Sequence, residues 1–355
     1  MEYAAGDVLG VFPRTPDAAV DRFFRRIGHD PDVWASVGPG GGGQRVRLRA
    51  LVQGALDISG APPRRYFFEV LAECTDDERE KDRLAYFGSA EGMEDLYRYC
   101  QGERRTVLEV LEDFPTAAPP LARLLEIVPR LEPRYFSISS GPSKIPGRCE
   151  LTVAIVAWRT RHGLRRTGLL TAWLKTLGAG AELPVWVEKG AIGDLSGSEL
   201  PLILVGPGTG VAPCRALLQE RREALRGRSG GGPLPETLLV FGCRHEKKDF
   251  LYRAEWEAHA QAGLLPGGAV AAFSRDQAHK VYVQDKIREH GARIWGLLQR
   301  GAHVYVCGSA NKMPAQVAAA FQAVAAEHGR LAPAAADAFL RRLEATRRYH
   351  VEAWS

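Results

Sequence analysis

Several features are scarce in this chain, and each absence narrows the reading. The six cysteines, Cys74, Cys100, Cys149, Cys214, Cys243 and Cys307, contain no C-x-x-C pair. That excludes a zinc ribbon, a cysteine-ligated cluster and a disulfide framework, leaves no metal site in view, and fits reduced thiols in a cytoplasmic protein. No apolar run reaches the roughly 18 residues that a membrane span needs. The opening MEYAAGDVLGVFP has neither the basic nor the apolar region of a signal peptide. No dense Lys/Arg face stands out, and a net charge of +5 fits an anionic ligand or an acidic partner without calling for nucleic acid. The G-x-G-x-x-G dinucleotide fingerprint is absent as well.

What remains is a 355-residue chain, 45% apolar and 25% charged, long enough for two domains with separate cores. It is organised around PLILVGPGTGVAPCRALLQER, residues 201–221. Leu202–Val205 reads as a buried strand. The turn Gly206-Pro207-Gly208-Thr209-Gly210 follows, and then a helix that tolerates Pro213 in its first turn. Glycines that let backbone come close, together with free amides at a helix start, make an anion site.

Before this point the texture changes twice. DVLGVF (7–12) reads as a strand, and residues 17–129 as a helical insert interrupted by the loop Gly38–Gly43. From Arg134 to Glu188, RYFSISS, CELTVAIVAW and PVWVEKG read as antiparallel strands, with TGLLTAWLKTL breaking in as a helix. The expected domains are residues 1–16 with 130–195, then 17–129, then 196–355. In the last of these, LILVG, TLLVFGC, AVAAFSR and HVYVCG alternate with helices, an α/β pattern with a mostly parallel sheet. Ligands of such sheets bind at the carboxyl ends of the strands, where Gly206–Gly210, Ser274-Arg275 and Cys307-Gly308 all fall. The loop 226–235 reads as surface.

FSRDQAHKVYVQ places Ser274, Arg275, Lys280, Tyr282 and Gln284 within eleven residues. Two cations and two hydroxyls suit a 2′-phosphate, a ring suits adenine, and no acid directly follows the TLLVFGC or AVAAF strand; NADPH is therefore favoured over NADH. Arg134 and Ser137 in RYFSISS, and the helix start Gly168-Leu169-Leu170-Thr171, offer a second anion site and imply a second nucleotide. Trp354, one residue from the end, reads either as a ring packed on the surface or as one stacked on an aromatic cofactor.

Taken in order, RYFSISS, GLLT, GPGTGVAPCRALLQER, FGCRHEKKDFLYRAEW, FSRDQAHKVYVQ, YVCGSANKMP and VEAWS resemble the ferredoxin–NADP⁺ reductase-like half of the diflavin reductases. ALDISGAPPRRYFFEVLAE and RRTVLEVLEDFP extend the resemblance through the insert. It implies a ferredoxin–NADP⁺ reductase-like fold: an antiparallel β-barrel FAD domain with a helical connecting insert, then an α/β NADPH domain. It also implies hydride transfer from NADPH to FAD, and onward transfer through FMN to an anamorsin-like partner in cytosolic iron–sulfur cluster assembly. By the same resemblance FAD would contact Arg104, Arg134, Tyr135, Phe136, Ser137, Thr152–Ala154 (Thr152, Val153, Ala154), Gly168, Leu169, Leu170 and Thr171, with Trp354 shielding the flavin. NADPH would meet Gly206, Gly208, Thr209, Gly210, Ser274, Arg275, Lys280, Val281, Tyr282, Val283, Gln284 and Gln316. Ser137, Cys307 and Glu352 would tune the reaction, with Glu352 where the family more usually has aspartate.

Diflavin reductases begin with a flavodoxin-like FMN domain, and this chain opens inside the FAD barrel. The expectation is a fragment, isoform or incomplete gene product with its first barrel strands missing. Two rivals follow: a truncated product that binds a partner or nucleotide without turnover, and a free-standing reductase feeding a small carrier. The long helical insert argues against the second.

Overall fold

A computed structural model of the chain describes residues 1–37, 43–190, 198–226 and 234–354. Most of the loop at Gly38–Gly43 and of the surface loop 226–235 lies outside them. Strand β1 (Val8–Val11) leads into helix α1 (Asp17–Ile27). A hairpin follows, β2 (Trp34–Val37) against β3 (Gln44–Arg47), antiparallel. Next come α2 (Leu48–Ala55), α3 (Arg65–Ala72), α4 (Glu78–Gly88), α5 (Met93–Leu96), α6 (Val107–Asp113) and α7 (Leu121–Ile127). Then come β4 (Arg134–Ser137), β5 (Ala157–Arg159), β6 (Arg165–Thr167), α8 (Leu169–Leu174) and β7 (Val185–Glu188). The remainder alternates: β8 (Leu202–Pro207), α9 (Val211–Arg226), β9 (Thr237–Cys243), α10 (Glu246–Asp249), α11 (Arg253–Gln261), β10 (Val270–Phe273) and α12 (Val283–Glu289). It ends with α13 (Gly291–Gln299), β11 (His303–Ser309), α14 (Met313–His328), α15 (Pro333–Ala345) and β12 (Tyr349–Trp354).

The chain divides into two compact units, which do not follow the boundaries expected from sequence one for one. The helical unit comprises Gly10–Arg134 and Ala154–Val185; the sheet unit comprises Met1–Leu9, Tyr135–Val153 and Trp186–Ser355. In the helical unit α1 to α7 close over a core that includes Phe23, Phe67, Phe68, Leu71 and Phe87. The apolar residues of α1 recur at helical spacing, so Val20, Phe23 and Phe24 all turn inward. α6 starts on a reciprocal cap: Thr106 Oγ1 accepts from the Glu109 amide, and Glu109 accepts from the Thr106 amide. Gly28 stops α1 at φ +66°, a left-handed conformation that costs glycine nothing.

The sheet unit holds a five-stranded sheet in the order β10-β9-β8-β11-β12, every adjacent pair parallel. Its strands are near-continuous Val/Leu/Ile runs because helices cover both faces. Ile203, Val205, Val240, Val304 and Val306 pack on one side, and Leu204, Leu239, Phe241, Tyr305 and Cys307 on the other. The alternation is the period of two that a strand imposes.

Elsewhere β4-β1-β7 form a three-stranded sheet in that order, and β5 pairs antiparallel with β6. The β5–β6 pair is the antiparallel pairing the sequence led one to expect in this region. CELTVAIVAW is corrected in part: it contributes an isolated bridge, Ile138 to Leu151, and the start of β5, while Ile155 and Val156 stay exposed at 47% and 46%. Their β-branched composition promised a strand, but among the described residues no neighbouring strand pairs with them. Two further elements went unforeseen: the β2–β3 hairpin inside the insert, and β12, which turns the chain's last residues into a sheet edge.

Candidate functional site

The glycine turn is built as its residues require. β8 delivers the chain into a short 3₁₀ turn, Gly208–Gly210, from which α9 starts. Gly208 has φ +59°, and a Cβ on Gly210 would lie 2.1 Å from the Cys307 carbonyl oxygen. The turn therefore presses directly on β11 and leaves no room for a side chain. Backbone amides and the start of a sixteen-residue helix together can hold an anion.

At each edge of the sheet, two strands from β8, the chemistry differs. Beyond β10, the Ser274 amide donates to the Cys243 carbonyl at 2.9 Å, and the Arg275 amide to the Arg244 carbonyl at 2.9 Å. The side chains of Arg275 and Lys280 are exposed, and Tyr282 is 44% exposed. The nearest acid, Asp276, is already engaged: it accepts from the Glu246 amide at 2.7 Å and pairs with His245 Nδ1 at 2.8 Å. Those two contacts hold its pKa below the usual carboxylate value. The cations of this loop are thus left for a ligand. Val283 and Gln284 are buried in the first turn of α12. The Val283 side chain belongs to the core, so any nucleotide contact it makes comes from its backbone, with Val281 half-buried beside it. Gln284 Nε2 reaches Gln316 Oε1 at 3.4 Å, which brings two expected contact residues together.

At the opposite side, β12 pairs with β11 so that Cys307 lies beside Glu352 and Ser309 beside Trp354. Glu352 and Trp354 are two residues apart and share a face of the sheet. Ser137 Oγ donates to Glu352 Oε1 at 2.7 Å, and the Tyr305 hydroxyl donates to Glu352 Oε2 at 2.9 Å. Burial pushes the Tyr305 phenol and the Cys307 thiol well above their ordinary pKa values, so both stay protonated. Cys307 is fully buried and presents no atom at the surface. Trp354 is 37% exposed and lies in strand β12.

The other expected residues are divided between the two units. Phe136 is half-buried and Tyr135 is exposed, the latter meeting Trp186 edge-on at 6.0 Å. Thr152 Oγ1 bonds the Tyr252 hydroxyl at 2.7 Å, with Val153 half-buried after it. Arg104, Arg134, Ala154 and Gly168–Thr171 belong to the helical unit. Arg104 is exposed at φ +49°, and Arg134 turns back on the carbonyls of Glu132 (2.7 Å) and Pro133 (3.2 Å). The start of α8 is locked by Gly168 N–H to the Val156 carbonyl (2.9 Å) and the Val156 N–H to Thr171 Oγ1 (3.1 Å). Leu170 and Thr171 side chains are buried, so this segment offers backbone to a ligand. Exposed Trp158 on β5 stands near it in sequence.

Two residues escaped the sequence reading. Tyr305 looked like one more strand residue of HVYVCG. Arg215 looked like an ordinary helix residue; it pairs with Glu255 at 2.6 Å and Glu150 at 2.5 Å, and it lies 4.3 Å over the Tyr252 ring. Burial works against its charge, and the two carboxylates outweigh it, leaving its pKa above the ordinary value.

These groups have a definite order along the carboxyl edge: cations after β10, the glycine cradle after β8, Glu352 and Trp354 on β12. Four strand spacings separate the ends, about 19 Å at 4.8 Å each. That suits an extended dinucleotide lying across β8, and the donor set fits one.

Comparison with known proteins agrees. Residues 1–173 match the FAD binding domain model, and residues 204–318 the oxidoreductase NAD-binding domain model. An NADPH-dependent diflavin oxidoreductase 1 of Arabidopsis thaliana is 46% identical over the whole chain, which covers 59% of that protein. The protein of that name in Bos taurus is 40% identical, with 60% covered. NADPH–cytochrome P450 reductase of Homo sapiens is 33% identical, with 54% covered. The chain thus spans about 60% of the length of the diflavin oxidoreductases it matches. The chain carries an FAD-binding domain and an oxidoreductase NAD-binding domain, and along its whole length it is similar to part of the diflavin oxidoreductases.

Proposed function

We propose that this chain is the NADPH-to-FAD module of a cytosolic diflavin reductase, whose electrons leave singly through an FMN carrier to an anamorsin-like iron–sulfur assembly protein. The observation that carries the first step is the order of groups along one sheet edge. Arg275 and Lys280 lie at one end, the glycine cradle in the middle, and Glu352 bonded to Ser137 at the other. The names of the relatives, NADPH-dependent and diflavin, support the donor and the second flavin. Six free cysteines fit a reducing compartment. Neither nucleic acid nor membrane is part of the reading, and among the described residues no helix is long and apolar enough to cross a membrane.

Once bound, the two cofactors supply hydride chemistry between nicotinamide and flavin. The chain's own residues bind and orient. Ser274, Arg275 and Lys280 hold the 2′-phosphate, and Tyr282 offers a face to adenine. Gly206, Gly208, Thr209 and Gly210 take the diphosphate on backbone amides, and Val281, Val283, Gln284 and Gln316 border the nucleotide. Trp354 covers the flavin face and excludes water from it. Glu352 Oε1 holds the Ser137 hydroxyl proton. Arg104, Arg134, Tyr135, Phe136, Thr152–Ala154 and Gly168–Thr171 hold FAD.

The onward route is tested by reconstitution. FAD-loaded chain, NADPH, a separately produced FMN domain and an oxidised iron–sulfur assembly protein are mixed without oxygen. Cluster reduction that requires all four components is expected. Cluster reduction without the FMN domain contradicts the route and favours a free-standing reductase, and none at all contradicts the assigned partner.

A further inference from the structure

The carboxylate of Glu352 is gripped at both oxygens. Ser137 Oγ donates to Oε1 at 2.7 Å, and the Tyr305 hydroxyl to Oε2 at 2.9 Å. A glutamate side chain has three rotatable bonds and loses that freedom only where something holds its end. Ser137 alone leaves one oxygen free to swing. Tyr305 supplies the second hold from a ring that is fully buried, hence fixed.

The strand register explains why Tyr305 can do this. Cys307 is the registered partner of Glu352, and Tyr305 precedes Cys307 by two residues. All three therefore stand on one face of the sheet. The Tyr305 hydroxyl also faces the Cys307 thiol. Because it donates to Glu352, its oxygen is left as an acceptor towards that thiol.

We infer that Tyr305 is a positioning residue: its hydroxyl fixes Glu352 for flavin reduction. This rests on the NADPH-to-FAD reading for its consequence in turnover, while the grip itself is a property of the protein alone. Tyr305→Phe keeps the ring and removes the hydroxyl. Flavin reduction by NADPH in the FAD-loaded chain is expected to slow about tenfold, as loss of one hydrogen bond to a charged group allows. The NADPH KM and the FAD content are expected to stay within about twofold, since neither depends on this bond.

The decisive set is Tyr305→Phe, Glu352→Gln and their double variant. If Tyr305 acts through Glu352, the Tyr305→Phe/Glu352→Gln variant is no slower than Glu352→Gln alone. The flavin-free protein gives a readout separate from turnover, because the Tm losses of Tyr305→Phe and Glu352→Gln should fall short of additive. Independent, multiplying rate losses, or wild-type flavin reduction in Tyr305→Phe, would overturn the inference. So would additive Tm losses. If wild-type chain with FAD shows no reduction by NADPH at all, the reductase reading fails, and the Tm cycle alone decides whether the grip exists.

Discussion

The helical unit and the sheet unit use their polar residues in opposite ways. In the helical unit the buried and half-buried ones are consumed locally. Arg26 donates to the carbonyls of Leu111, Phe114 and Ala117 at 2.5–2.8 Å; Arg105 pairs with Asp113 at 2.8 Å, and Arg166 with Glu109 at 2.6 Å. Those groups close the fold and leave little for a ligand. In the sheet unit, polar residues at the carboxyl edge are held ready by their neighbours: Glu352 by two hydroxyls, Asp276 diverted from its adjacent cations, Arg275 and Lys280 in solvent. Stability lives in satisfied pairs, and chemistry at an edge where satisfaction is left for a ligand.

The largest expected effect breaks the sheet unit at its turn. Gly210→Ala must push a backbone carbonyl on β11, so a loss of about 3 kcal/mol in urea unfolding is expected. NADPH binding should fall below detection by calorimetry. A variant with wild-type stability and affinity would contradict the close approach.

Next comes acid sensitivity, where the units should differ in the pH at which loss begins. His259 is buried on α11, and its pKa is lowered from 6.5 to about 4, first by burial and then by Arg222; Lys144 and Arg215 act in the same direction and Glu255 against them. The unfolded chain takes up the proton first. Stability is therefore full above pH 6.5 and falls towards pH 4, by about 2–3 kcal/mol. His259→Gln should flatten that limb in pH-dependent urea titrations. Glu109 in the helical unit behaves differently. Burial raises its pKa, but Arg166 and Thr106 lower it by more, leaving it below the usual carboxylate value. Its contribution is present above pH 4.5 and lost only as pH falls through the folded value. Glu109→Gln should cost about 1–2 kcal/mol at pH 7 and little at pH 3.

Arg275→Ala with Lys280→Ala should raise the NADPH KM about 10–100-fold and leave the NADH KM within about twofold, since only the 2′-phosphate is abandoned. Equal losses for both nucleotides would place the phosphate elsewhere. Smallest of all, Arg98→Ala removes an exposed pair with Glu94 and Asp95 and should change Tm by under about 2 °C.

What could be read from sequence was whatever carries its signal locally. Leu202 to Arg221 was legible because a strand, a glycine turn and a helix follow one another within a few residues. The insert was legible because α1 and α4 show helical periodicity. β12 was not: six residues at a chain end become a strand only by pairing with β11, forty-odd residues earlier. Tyr305 was hidden for the same reason, since its role depends on Glu352 lying on the neighbouring strand. The exposed Ile155 and Val156 misled in the other direction, because β-branched residues mark strands only where a partner exists. Local chemistry shows in sequence, and pairing across the chain does not.

The most direct measurement is the visible spectrum of the FAD-loaded chain mixed without oxygen with NADPH, and separately with NADH at equal concentration. Prompt bleaching of the flavin bands by NADPH, and much slower bleaching by NADH, is the predicted result. Bleaching by neither, or by both at one rate, would contradict the assignment of the sheet edge to a 2′-phosphorylated dinucleotide.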